Sequence, residues 1–158
     1  MQPTRREALL TIAALSAPSP AESQPAFLTP AELDWLKPLV DAIIPRTDTP
    51  GASDAGVPAY IDRRLAASPQ LAGAFRTGMK AMDSDAQSRF GTVFPALTPS
   101  QQIELLTPRA EDPFFRMVKG LTVDGYYTSR EGLADELGWH GNTFLTEFKG
   151  CTHPEHQR

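Results

Sequence analysis

The stretch LTPAELDWLKPLVDAIIP, residues 28–45, decides the fold. Thr29 precedes Pro30, and Glu32 follows the threonine by three positions, which is the pattern of a capped helix start. Pro38 lies inside the run and is expected to kink the helix, and Pro45 is expected to end it. Apolar residues recur along one helical face of this stretch: Leu33, Leu36, Leu39, Val40, Ile43 and Ile44.

Similar helix starts recur outward from this stretch. Residues 97–101, LTPSQ, repeat the capped pattern, and further helices are predicted to begin at Pro58, Pro69 and Asp112. No run alternates apolar and polar residues as a half-buried strand would, and most of the 15 prolines stand at predicted element boundaries. The sequence therefore predicts an all-α protein. We expect a small, irregular helical domain with proline-punctuated helices and an extended C-terminal tail from Gly138.

Composition limits the possible functions. The chain has 158 residues, of which 41% are apolar, and this length suits one domain with a packed core. The net charge of −4 argues against a nucleic-acid-binding protein, which would carry a basic stripe. The single cysteine excludes a disulfide framework within the chain, a four-thiolate metal site and haem attachment through two thiols.

The first residues have the pattern of an export signal. Arg5 and Arg6 precede an Ala-rich stretch, residues 8–17, that is much shorter than the ~20 residues needed to span a bilayer. Twin arginines before a short apolar stretch and small residues are typical of the twin-arginine route. We therefore predict a signal over residues 1–21, a linker over 22–27 and the helical domain over 28–158. The predicted location is the periplasm, and the predicted export partner is the twin-arginine translocase.

Two groups of polar side chains have the composition of a metal site without its spacing. His153 and His156 are separated by a proline that biases His153 away from helix, so the two imidazoles need not face one way. Oxygen-bearing side chains follow the first helix, but they do not match a calcium loop and more often bond their own backbone: Asp48, Ser53 and Asp54. We predict no metal site and, since no nucleophile elbow, phosphate loop or dinucleotide fingerprint occurs, no catalytic or cofactor-binding residue.

Aromatic pairs and the cysteine indicate a partner surface. The pairs Phe114–Phe115 and Tyr126–Tyr127 point in adjacent directions on a helix, so one member of each pair can fill the core while the other faces outward. Together with Trp139, Phe144 and Phe148 they exceed what a polar tail needs. Exposed aromatic patches mark binding surfaces. An alternative, which is compatible with the first, is that the tail folds back over the domain and buries them. Cys151 in an exported protein is either a free thiol or a bridge to another chain.

Three stretches resemble the gluconate 2-dehydrogenase subunit 3 family. The most specific are DAIIPRTDTPGA, residues 41–52, continued by DAGVP at 54–58, and the ending GCTHPEH at 150–156. A weaker match combines LT at 121–122 with GYYTS at 125–129. The resemblance covers about residues 27–156, and the twin-arginine start is typical of the same family.

The resemblance implies a place in a larger enzyme. Such proteins are the small subunits of periplasmic or membrane-associated dehydrogenases that oxidise gluconate, glucose or the C3 hydroxyl of glycosides. The large subunit is a flavoprotein of the glucose-methanol-choline oxidoreductase type, which carries FAD and the catalytic histidine, and a c-type cytochrome with haem c often takes the electrons. The small subunit supplies the export signal and stabilises the large one.

We therefore expect a non-catalytic subunit that meets its partner through the loop after the first helix and through the tail. Two alternatives stay open: the histidine tail assists proton transfer in the partner's active site, or the chain is a free-standing periplasmic binding protein. The candidate partner contacts are Arg46, Asp48, Asp54, Tyr127, Trp139, Cys151, His153 and His156.

Overall fold

A computed structural model describes residues 27–141 and confirms the all-α prediction, since no β-strand occurs among these residues. The described residues form five α-helices: α1 (Pro30–Ile43), α2 (Val57–Ala66), α3 (Pro69–Phe90), α4 (Pro99–Leu106) and α5 (Pro113–Tyr127). Two 3₁₀ turns, Phe94–Ala96 and Thr107–Arg109, flank α4, and a π-helical segment, Glu131–Glu136, follows α5. None of the described helices has both the length and the apolar character that a bilayer crossing requires.

The helix starts follow from local side-chain chemistry. In α1 the Thr29 hydroxyl accepts the backbone N–H of Glu32, and the Glu32 carboxylate accepts the N–H of Thr29, completing the predicted capping box. Thr98 and Gln101 form the same reciprocal pair at α4. Asp112 caps α5 by accepting the N–H groups of Phe114 and Phe115.

The hydrophobic core lies where the helices meet. Helix α1 packs against α2, α4 and α5, and α3 packs against both α2 and α5. Asp83 of α3 links this helix to α1 and to the first 3₁₀ turn. Its Oδ1 atom accepts the indole N–H of Trp35 at 2.9 Å and the backbone N–H of Phe94 at 3.0 Å. The largest fully buried side chains include Tyr126, Phe75, Phe94, Leu36, Leu39, Ile61, Leu65 and Met82.

Three local features differ from, or refine, the sequence-based expectations. Helix α2 begins at Val57 rather than Pro58, because Gly56 takes a left-handed backbone (φ 73°) directly before it. Helix α1 runs through Pro38 to Ile43 without a break. The short helix expected between residues 129 and 137 is a π-helical segment, and residues 138–141 carry no regular structure, as predicted for the start of the tail.

Candidate functional site

Asp41 organises the loop that joins α1 to α2, residues 44–56, here called the α1–α2 loop. Its Oδ1 atom accepts the backbone N–H of Ser53 at 2.8 Å, and its Oδ2 atom accepts the Ser53 hydroxyl at 2.6 Å. Asp41 stands in the last turn of α1, where the helix dipole disfavours a negative charge and no basic side chain offsets it. Charge-assisted hydrogen bonds from the loop therefore stabilise this carboxylate and fold the loop back onto the helix.

Asp54 and Arg46 fix the remainder of the loop. The Asp54 carboxylate accepts the Gly51 backbone N–H at 3.1 Å and forms an ion pair with the Arg46 guanidinium. The Ala52 N–H donates to the Ile44 carbonyl at 3.0 Å, and the Ala52 side chain is fully buried. The loop is thus a folded structure whose polar groups bond one another, as the turn chemistry of its sequence indicates.

The loop contacts the C-terminal end of α5. The buried Tyr126 donates its hydroxyl to the Pro50 carbonyl at 2.9 Å, and the Thr49 hydroxyl donates to Glu136 Oε2 at 2.7 Å. Two of the three stretches that carry the family resemblance, 41–58 and 121–129, therefore meet in space.

The π-helical segment packs closely on the end of α5. Ser129 bonds in both directions, because its hydroxyl donates to the Tyr126 carbonyl at 2.6 Å and accepts the Gly132 N–H at 3.1 Å. A Cβ atom on Gly132 would lie only 2.1 Å from the Tyr126 carbonyl oxygen, so glycine alone permits this approach. The Trp139 N–H donates to the Leu133 carbonyl at 2.8 Å, which holds the chain beyond the segment against it.

This arrangement leaves large apolar side chains facing solvent near the end of the described chain. Tyr127 is 37% exposed, Leu137 61% and Trp139 48%. Tyr127 packs its ring edge-on against buried Tyr126, with centroids 5.2 Å apart, which confirms the expectation of one inward and one outward tyrosine. We call residues 127–139, with these three exposed side chains, the C-terminal edge.

Five of the predicted contact residues fall within the described residues. Arg46, Asp48 and Asp54 lie exposed on the α1–α2 loop, and Tyr127 and Trp139 lie on the C-terminal edge. The Thr49–Glu136 and Tyr126–Pro50 hydrogen bonds join these two regions. The other predicted residues, which are Cys151, His153, His156 and the signal arginines Arg5 and Arg6, lie outside the described residues.

The sequence did not identify the residues whose hydrogen bonds hold the α1–α2 loop and the C-terminal edge in place. In the sequence Asp41 is only one residue of the stretch 41–52, yet an acidic residue in the last turn of a helix is itself a signal that nearby groups must donate hydrogen bonds to it. Thr49 and Glu136 gave no local signal, because their hydrogen bond joins residues far apart in the sequence.

A groove of about 590 Å³ opens beside the loop, between α1 and α4. Its lining is mainly apolar, with Pro38, Leu97 and Ile103 among the residues, and its polar side chains include Asp41 and Gln102. The Gln102 amide donates to the Leu97 carbonyl at 3.3 Å. Within residues 27–141, no group of three or more His, Cys, Asp or Glu side chains is arranged to hold a metal ion.

Comparisons with known proteins give one match. A search of curated proteins and a search of solved structures each found no match to the chain. A family model described as gluconate 2-dehydrogenase subunit 3 matches residues 30–144, which is most of the chain and includes both the α1–α2 loop and the C-terminal edge. The family name describes one subunit of a gluconate 2-dehydrogenase complex. The chain therefore belongs to the gluconate 2-dehydrogenase subunit 3 family.

Proposed function

We propose that the chain is the non-catalytic small subunit of a periplasmic, FAD-dependent sugar dehydrogenase of the gluconate 2-dehydrogenase or glycoside 3-dehydrogenase type. It carries the twin-arginine signal for the complex and stabilises the large subunit, a flavoprotein of the glucose-methanol-choline oxidoreductase type. FAD belongs to that large subunit, and a c-type cytochrome is the proposed third member. The observation that carries the proposal is the family match over residues 30–144.

The chemistry of the described surface supports a structural role. Asp41 and Asp54, the carboxylates that shape the α1–α2 loop, accept hydrogen bonds from the loop itself. Their bonding holds the loop in one conformation beside an edge that exposes aromatic side chains. A preformed surface loses little conformational entropy on binding, which suits a subunit that stabilises a larger partner.

Export of the partner tests the role of the signal. The chain and its large subunit are co-expressed, and Arg5 and Arg6 are both replaced by Lys. The large subunit is expected to disappear from the periplasmic fraction, because a protein without its own signal depends on the bound small subunit. Dehydrogenase activity and immunoblots of the two cell fractions provide the measurement.

A second arginine pair provides the matched control. Arg63 and Arg64 are both exposed on α2, and their replacement by Lys should leave export unchanged. If the large subunit reaches the periplasm equally well with the lysine signal, or without this chain altogether, the proposal is wrong.

The groove between α1 and α4 favours a second candidate function, a free-standing binding protein. An open cavity of about 590 Å³ has the size of a small-molecule site. Size-exclusion chromatography of native periplasmic extract separates the two functions. A species of the small chain alone supports the binding protein, and co-elution with a flavoprotein supports the subunit.

A further inference from the structure

We propose that the C-terminal edge is the surface that binds the large subunit, and that the partner's matching surface is apolar with lysine or arginine side chains around it. This inference rests on the proposed function, because the occupant is the large subunit of the same complex. It adds which face of the chain is buried in the complex and which chemistry recognises that face.

The first argument is the exposure of apolar side chains. Leu137 is 61% exposed and Trp139 48% exposed, and both lie in the short segment after α5. Aromatic residues are enriched in the buried centres of protein interfaces and often contribute most of the binding energy there. Val93 and Ile103, by contrast, are exposed on separate elements of the fold.

The second argument is that the edge is held in place. The Tyr126–Pro50 and Glu136–Thr49 hydrogen bonds anchor it to the α1–α2 loop, and Gly132 allows direct backbone packing on α5. The apolar side chains are thus displayed from an ordered backbone, so a partner need not order this segment when it binds.

The third argument is charge. Residues 127–139 carry one basic side chain, Arg130, and three carboxylates: Glu131, Asp135 and Glu136. Two copies of such a face would repel each other across a symmetric interface, which disfavours a second copy of this chain as the occupant. A partner with an apolar centre and a basic rim would be attracted, and its binding would weaken with salt.

The fourth argument is the path of the chain. The described residues end at Gly141, two positions after Trp139, and 17 residues follow, including Cys151. Ten residues of chain can span at most about 36 Å, which is long enough for a thiol at position 151 to reach a partner seated on the C-terminal edge. The predicted bridge from Cys151 to another chain is therefore compatible with this surface.

Binding to the purified large subunit tests the proposal. All variants carry Cys151→Ser, so that a covalent bridge cannot hold the two chains together. The double variant Leu137→Ala/Trp139→Ala should raise the dissociation constant at least tenfold, because it removes the apolar centre of the surface. Val93→Ala, which removes a similarly exposed apolar side chain elsewhere on the fold (45% exposed), should change it less than twofold.

Charge reversal tests the chemistry of the partner. Asp135→Lys should weaken binding severalfold and reduce its dependence on salt, since the partner's rim is proposed to be basic. Glu104→Lys, a reversal at an exposed position of α4, should have little effect on either quantity. Circular dichroism and thermal unfolding show that each variant is folded, which these exposed positions should permit.

The possible outcomes distinguish an error in the proposed surface from an error in the proposed function. If the Cys151→Ser chain with an unchanged edge binds the large subunit but the double variant binds within twofold of it, the proposed surface is wrong and the proposed function stands. If the unmodified chain does not bind the large subunit, both are wrong. A dimer of this chain that the double variant dissociates would assign the edge to a second copy and overturn the proposal.

Discussion

Asp41 is the residue on which the α1–α2 loop depends most. It accepts two hydrogen bonds from Ser53 while standing at the unfavourable end of a helix dipole. A carboxylate at this position destabilises the isolated helix, and it becomes favourable only when the folded loop donates hydrogen bonds to it. The carboxylate therefore couples the end of α1 to the conformation of the loop.

Replacing Asp41 by Ala should lower the free energy of unfolding by about 2 kcal/mol, because two hydrogen bonds to a charged group are lost and the half-buried donors of Ser53 lose their acceptor. Urea unfolding followed by circular dichroism measures the change. Asp48→Ala is the matched control, since Asp48 is exposed on the same loop, and it should change stability by less than about 0.5 kcal/mol. Equal effects of the two substitutions would contradict the assigned role of Asp41.

Glu32 links the capping box of α1 to pH. The Thr29 backbone N–H has the largest effect on the pKa of the Glu32 carboxyl and lowers it below its ordinary value. Desolvation, the second-largest effect, raises this pKa, and the Thr29 hydroxyl and Arg76 lower it further. A carboxyl whose pKa is lowered in the folded state stabilises the fold above its ordinary pKa. This contribution disappears as the pH falls through the lowered value.

Glu32→Gln isolates that contribution. Glutamine cannot titrate but can complete a capping box, as Gln101 does at α4. The stability advantage of the unmodified chain over the variant should therefore be largest near pH 7 and shrink steadily below about pH 4.5. Thermal unfolding of both proteins from pH 7 to pH 3 measures it. An advantage that stays constant over this range would show that ionised Glu32 contributes nothing specific.

At the scale of elements, the sequence predicts best what is decided locally. The starts of α1, α4 and α5 follow from side chains within three positions of each cap, so Thr29, Thr98 and Asp112 could be recognised from the sequence. The contact between the α1–α2 loop and α5 could not be predicted, because nothing in the sequence indicates which distant carbonyl the Tyr126 hydroxyl will bond.

The geometry of the π-helical segment could not be predicted from the sequence either. A short helix after residue 129 could be predicted from composition, but neither its π geometry nor the close packing of Gly132 on the Tyr126 carbonyl could be. The outward position of Tyr127 could be predicted, since adjacent residues on a helix must point in different directions. Five of the eight predicted contact residues lie within the described residues. The sequence could not predict that the Thr49–Glu136 hydrogen bond would join the two regions that carry them.

Two glycines of α3 give matched predictions about helix packing. A Cβ atom on Gly78 would lie 2.1 Å from the Phe114 ring of α5, whereas a Cβ on Gly73 meets nothing within 4 Å. Gly78→Ala should therefore destabilise the fold by about 1–3 kcal/mol through overpacking. Gly73→Ala should stabilise it by about 0.4–1 kcal/mol, because alanine restricts the unfolded chain and favours helix. Urea unfolding decides, and a stabilising Gly78→Ala would mean that α3 and α5 are not packed as described.

At the scale of the whole molecule, the core and the proposed interface share the same elements. Helix α5 buries Tyr126 in the core and exposes Tyr127 beside it, and α1 buries Leu39 and Val40 while its last turn fixes the loop. The hydrophobic contacts that hold the helices together thus also set the position of the C-terminal edge. A destabilised core is therefore expected to weaken partner binding as well, which is why the binding test uses only exposed positions.

Cys151 provides the prediction that involves the complete complex. It is the only cysteine of the chain, so in an oxidising compartment any disulfide it forms must join another molecule. We predict a bridge to the large subunit. The purified complex should run as one heavier band on a non-reducing gel and separate into two bands after reduction or in the Cys151→Ser variant.

The same gel connects the thiol to the C-terminal edge. A disulfide forms efficiently only when the two sulfur atoms are held close together. Co-expressed chains carrying Leu137→Ala/Trp139→Ala should therefore form a smaller fraction of the heavier band, and Val93→Ala should leave that fraction unchanged. Two separate bands from the unmodified complex without reductant would reject the bridge. An undiminished heavier band in the double variant would show that the large subunit is held next to Cys151 by some other face.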